Sequence, residues 1–118
     1  MAKQPRLARI DSEMRRWCAA VEEELASWPD VSARPMFGMV AFYRGTEIFA
    51  AVPRTRAAGT ERSILVKLPT VRHPRLRRAS RPGSGWATFD MESDGDIVGV
   101  LQWLGRAYER AHIGPVRR

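Results

Sequence analysis

Residues 37–53 read FGMVAFYRGTEIFAAVP, and this stretch decides the fold. Aromatic and aliphatic side chains fill Phe37 to Arg44, Gly45-Thr46 interrupts them, and Glu47–Val52 resumes the pattern. Two short apolar runs joined by a two-residue, glycine-containing reversal form a β-hairpin, because such a turn follows the right-handed twist of its strands. The sheet is therefore antiparallel at its centre. A third strand, Ser63–Leu68, sets Ile64, Val66 and Leu68 on one face with Leu65 and Lys67 on the other, and Pro69 ends it. Trp86–Met91 makes a fourth, with Ala87, Phe89 and Met91 together on one side.

Helical patterns flank these strands. Met14, Trp17, Cys18, Val21, Leu25 and Trp28 recur as one stripe over 12–28, with Asp11 or Ser12 to cap it and Pro29-Asp30 to stop it. Ser93-Asp94-Gly95-Asp96 supplies turn and cap chemistry for a second helix over 96–111. Ile97, Val100, Leu101, Leu104, Ala107, Tyr108 and Ala111 form its stripe, and Trp103 lies near the edge. Gly99 and Gly105 each cost such a helix about 1 kcal/mol relative to alanine, which close packing on the sheet would offset. Between strands, residues 70–85 (TVRHPRLRRASRPGSG) read as a loop with a single helical turn around Arg75–Ser80, bounded by Pro74 and Pro82. The expected architecture is a two-layer α+β domain over 11–113. It has an antiparallel sheet of four to five strands and both helices on one face. A flexible arm is expected over 1–10 and a basic tail over 114–118. The other sheet face is left partly open.

The 118 residues suffice for one domain. One cysteine excludes an intramolecular disulfide framework, and Cys18 belongs to the apolar stripe, where burial is the expectation rather than reactivity. The basic N-terminus lacks the apolar segment of a secretory signal, and no apolar run approaches bilayer length. A cytoplasmic protein without membrane contact is expected. His73 and His112 are too far apart for finger or helical ligand spacing, so a Cys/His zinc site is excluded, and no Gly-x-Ser-x-Gly elbow is present. The acidic run Asp90–Asp96 begins like a calcium loop, but its twelfth position is Leu101, not a bidentate glutamate. It reads instead as a strand-to-helix turn with acids at the positive end of the last helix. No catalytic residue, metal or cofactor is expected.

Charge is the salient anomaly. Lysine and arginine number 20 against 13 acids, for a net +7, and 18 of those bases are arginine. Nine bases and a single acid, Glu61, lie between Pro53 and Pro82, and the rest of the chain is almost balanced. Such concentration suits an anionic partner; the same run also reads as a solvated, arginine-rich loop. Arg72, His73, Arg75, Arg77, Arg78 and Arg81 are the candidate anion contacts, with nucleic acid the first partner and an acidic protein the second. Trp86 adjoins this loop and could stack on a base. A rival reading is a small-molecule-binding domain or cryptic enzyme on the open sheet face, where Arg34, Lys67 and Trp86 would converge. A third is a homodimer formed through that face.

Arg34-Pro35-Met36-Phe37-Gly38, then Phe42-Tyr43-Arg44-Gly45 and Ile48-Phe49-Ala50, resemble the N-terminal domain of the TfoX/Sxy family. Leu65-Val66-Lys67 and Leu101-Gln102-Trp103-Leu104-Gly105-Arg106-Ala107 are similar to that family's later strand and closing helix, so the resemblance spans roughly 12–111. Met39 stands where the family often has a second glycine, and the basic insertion 53–62 is atypical. The ending around Ser84-Gly85-Trp86 and Leu104–Arg110 is also similar to small stand-alone modules of the YjbR/MmcQ type and to the luciferase-family domain. The resemblance implies a compact α+β module. Its two-domain members are linked to competence regulation, and since 118 residues are not expected to hold both domains, that role is not carried over. The resulting expectation is a non-enzymatic binding or regulatory module.

Overall fold

A computed structural model of the chain describes residues 12–54, 62–78 and 83–113. Helix α1 spans Ser12–Ala26 and helix α2 spans Asp96–Ile113. Between them run β1 (Val31–Met36), β2 (Met39–Arg44), β3 (Glu47–Pro53), β4 (Ser63–Lys67), β5 (Leu76–Arg78) and β6 (Trp86–Asp90). All six strands join one antiparallel sheet in the order β1-β2-β3-β4-β6-β5. The α+β architecture thus matches the sequence pattern, with six strands where four to five were expected. No described helix is long and apolar enough to cross a membrane.

Register sorts the side chains onto two faces. Val40 opposes Val52, Phe42 opposes Ala50, Ala50 opposes Val66, Val66 opposes Ala87, and Ile64, Phe89 and Leu76 align. These residues form one core with Met14, Trp17, Cys18, Val21 and Leu25 of α1 and with Val100, Leu104, Ala107, Tyr108 and Ala111 of α2. Both helices therefore cover the same face, and Cys18 is buried in it as its stripe position requires. Gly99 earns its place in α2: a Cβ there would come within 3.2 Å of the Phe89 ring. Gly105 has no such neighbour within 4 Å.

A bulge between Phe42 and Tyr43 shifts the β2–β3 register, which leaves Phe49 without an opposed residue and lets it enter the core. There it stacks with Trp28 at 6.2 Å and meets the edge of Tyr108 at 5.6 Å. The Tyr108 hydroxyl donates to the Pro29 carbonyl at 2.7 Å, and Arg44 lies 3.9 Å over the Tyr108 ring. This cluster ties the end of α1, the bulged strand and α2 together.

Two strands correct the sequence expectation. The sequence pattern starts the first strand at Phe37, yet Phe37-Gly38 is a turn and Val31–Met36 forms a strand of its own. Its residues 32–35 are exposed on both faces, so no alternation marks it, and Pro35 is tolerated because β1 is an edge strand. The helical turn expected around Arg75–Ser80 is instead β5 over Leu76–Arg78, recruited by pairing with β6. One buried leucine opposite Phe89 anchors it. The expected arm at 1–10, the tail at 114–118 and residues 55–61 and 79–82 lie outside the described residues.

Candidate functional site

The arginine-rich segment is concentrated in sequence but dispersed in space. Strand alternation sends Arg77 to the face away from the helices and Arg78 to the helix side. Arg77 forks onto Asp90, with Nε 2.9 Å from Oδ2 and Nη2 2.7 Å from Oδ1. The Ser63 hydroxyl donates to the same carboxylate at 2.6 Å. Hydrogen bonding from Arg77, then from Ser63, holds the Asp90 carboxyl below its usual value, and the pairing raises Arg77 above its own. Arg78 donates to three backbone carbonyls, those of Leu68, Pro69 and Val71, at 2.9, 3.0 and 2.8 Å. Arg75 reaches Asp96 Oδ1 and the Asp90 carbonyl, both at 3.1 Å, and crosses the Phe89 ring.

Two further bases of the segment pair with α1. Arg62 meets Glu13 at 3.1 Å and lies over Trp17, and Arg54 meets Glu22 at 3.0 Å. Glu22 is nonetheless raised above its usual range, because desolvation outweighs the attraction of Arg54. The nearly balanced remainder of the chain thus supplies counter-ions to the basic segment. The acidic run 90–96 is committed in the same way: Asp94 accepts from the Trp17 indole at 2.7 Å, and Asp96 Oδ2 accepts from the backbone N–H of Glu92 and Ser93. Among the described residues, no group of three or more His, Cys, Asp or Glu is placed to hold a metal ion.

Arg72 and His73 remain at the surface. His73 Nδ1 accepts from the Arg75 backbone N–H at 3.1 Å, and its carbonyl accepts from Leu76 at 2.9 Å, so the loop presents the imidazole in one orientation. The ring lies 4.9 Å from Trp103 of α2, and Arg106 lies 4.9 Å over the same indole. Trp103, Arg106 and Arg110 share one helical face at offsets of three and four. No carboxylate pairs with Arg72, Arg106 or Arg110 among the described residues; Glu109 is the one acid between 97 and 113. An aromatic ring with a cationic border has formed from two distant parts of the chain. Sequence reasoning found Arg72 and His73 and placed Trp103 at the margin of the core stripe, where it is half-buried against the core, but it did not bring the two together. Arg81 lies outside the described residues.

Of the three residues expected to converge on the second sheet face, two meet and the third lies apart, over Tyr43. Lys67 Nζ sits 5.0 Å from the Trp86 ring, its direct cross-strand neighbour. Arg34 instead lies 5.5 Å over Tyr43, and three strand spacings, about 14 Å, separate β1 from β4. Between the pairs run the buried Ala41 and Ala51. A hollow of about 640 Å³ does open at the β1–β2 tip, lined by Arg34, Met36, Phe37, Met39 and Arg54 among others. Another of about 190 Å³ lies between α1 and the end of β3, beside Cys18, Glu22 and Arg54. No family model, no curated protein and no solved structure matches this chain.

Proposed function

We propose that the protein is a non-enzymatic binding module that engages single-stranded nucleic acid across Arg72, His73, Trp103, Arg106 and Arg110. One observation carries this reading: the Trp103 indole lies 4.9 Å from both the His73 ring and the Arg106 guanidinium, with Arg72 and Arg110 free of carboxylate partners among the described residues. Single strands are bound by stacking bases on aromatic rings, at roughly 1–3 kcal/mol per base, while cations track the phosphates. A duplex keeps its base faces buried in the stack, so an aromatic platform with a cationic border favours an unpaired strand. Catalysis finds less support. The Ser63 hydroxyl meets a carboxylate, but Ser63 is buried and Arg77 holds Asp90 in its weakly basic, ionised form. The similarity to the TfoX/Sxy N-terminal domain is part of the same proposal, as a regulatory module rather than a catalyst.

The test is fluorescence polarisation with short single-stranded DNA and RNA over a range of salt concentrations. Affinity should fall with salt by roughly 0.7 log units per log unit of salt for each phosphate contacted. Joint reversal of Arg72, Arg106 and Arg110 to glutamate should abolish binding, and Trp103→Ala should weaken it about tenfold. Arg77→Ala should leave affinity unchanged. Binding that survives the triple reversal refutes the proposal, and preference for a polyglutamate probe over either nucleic acid reassigns the surface to an acidic protein.

A further inference from the structure

The β1–β2 turn contradicts the chemistry of its own backbone. Phe37 has φ +48° and Gly38 has φ +78°, so both central residues of this two-residue loop are left-handed. Glycine accepts that conformation freely, and asparagine or aspartate accept it best among the others; a phenylalanine is strained there. A strained aromatic is ordinarily retained because its ring packs into the fold. Here the side chain is 93% exposed and returns nothing to the core. Such a residue obeys neither local preference nor burial, and such breaches gather at functional positions.

Its surroundings indicate what it meets. Residues 31–46 contain no acid, and Arg34, Pro35, Met36 and Met39 surround Phe37 in sequence. Aromatic residues, methionine and arginine are the types enriched where proteins dock, and Asp, Glu and Lys are depleted there. The tip is also held in place: the Arg54 backbone N–H donates to the Gly38 carbonyl at 2.7 Å, and the Arg54 side chain is tied to Glu22 of α1. Anchors held in their docked geometry bind with less ordering cost. Pairing by strand addition is disfavoured at this end of β1, since Pro35 offers no N–H to the free edge. One aromatic ring with a methionine is also too little for stable anchoring on a membrane, which takes a second strong signal.

We infer that the β1–β2 tip is a docking knob, in which Phe37 is the anchor for an apolar pocket on a protein partner and Arg34 addresses carboxylates at that pocket's rim. This surface is separate from the Trp103 face and is tested separately. Peptides are selected from a phage-displayed random library on the wild-type protein and measured by fluorescence polarisation. Phe37→Asn keeps a residue suited to the turn, and its melting curve confirms that it folds. The expected result is a set of peptides with one large apolar residue flanked by Asp or Glu, losing about 30-fold or more in affinity for Phe37→Asn. Arg34→Glu should weaken the same peptides several-fold. The inference is overturned if the selected peptides bind Phe37→Asn as tightly as wild type, or if none depends on Phe37. It is equally overturned if Phe37 drives sedimentation with phosphatidylglycerol vesicles, or if light scattering shows a dimer that Phe37→Asn dissolves.

Discussion

Replacing Arg78 with methionine separates a structural arginine from a binding one. Its guanidinium is half-buried and donates to the carbonyls of Leu68, Pro69 and Val71, the backbone that leaves β4 and turns toward β5. Hydrogen bonds from a charged donor are worth about 1.5–3 kcal/mol each when fully desolvated. Water can reach part of this loop, so the three together are discounted to about 2–4 kcal/mol for the variant. In a domain of this size each kcal/mol moves the melting temperature by about 4–5 °C, so a fall of about 8–20 °C is expected. Lysine should recover only a minor share, since an ammonium is compact and lacks the planar fork that spans three acceptors. Urea melts of wild type, Arg78→Met and Arg78→Lys measure the difference directly. A loss below about 0.5 kcal/mol for Arg78→Met, at unchanged dependence on urea, refutes the reasoning. Because Arg72 and His73 follow Val71, the loosened loop should also weaken oligonucleotide binding in the methionine variant.

Other expectations are as specific. Gly105→Ala should stabilise the protein by about 1 kcal/mol, and Gly99→Ala should not, because only Gly99 faces a ring at 3.2 Å; thermal melts of the pair decide it. Asp90 has a folded-state pKa below its unfolded value, so its contribution is present above the unfolded value and fades as pH falls through the folded one. Asp90→Asn should therefore flatten the acid limb of a stability–pH curve while lowering stability at neutral pH. Phe37→Asn should raise stability by about 1 kcal/mol, since it relieves a left-handed aromatic that makes no buried contact. A destabilised Phe37→Asn in urea would show that the ring supports the fold after all.

The parts of the structure that alternate or repeat were legible in the sequence. The stripe from Met14 to Leu25, the Gly45-Thr46 reversal and the Ile64/Val66 pattern each report a local period, and each appears where its period puts it. Strand β1 was not legible, because an edge strand exposed on both faces carries no hydrophobic rhythm. Strand β5 was hidden for another reason: its three residues are strand only by pairing with β6, a partner that local propensity does not see. The candidate surface failed in the same way. Arg77 and Asp90 lie thirteen positions apart and Arg62 and Glu13 forty-nine, so a charge count along the chain credited as free cations what the fold neutralises. His73 and Trp103 meet across thirty positions, and neither is remarkable where it stands alone.

The turn between β6 and α2 holds more than it connects. Asp90 secures the last-placed edge strand, Asp94 secures the indole of α1, and Asp96 secures the loop ahead of β5 as well as the turn's own N–H groups. Exposed turns are ordinarily where a chain tolerates being opened or lengthened. Here a cut between Glu92 and Gly95 would loosen both the Asp94 hold on the Trp17 indole and the cap that Asp96 gives the Glu92 and Ser93 N–H groups, although the segment is exposed throughout. The Gly45-Thr46 turn is the contrasting case, with a single backbone bond from Gly45 to the Asp30 carbonyl. A permuted or split version of this protein belongs at the Gly45-Thr46 turn, and a protease that nicks the segment after β6 would free the Trp17 indole and uncap α2 together.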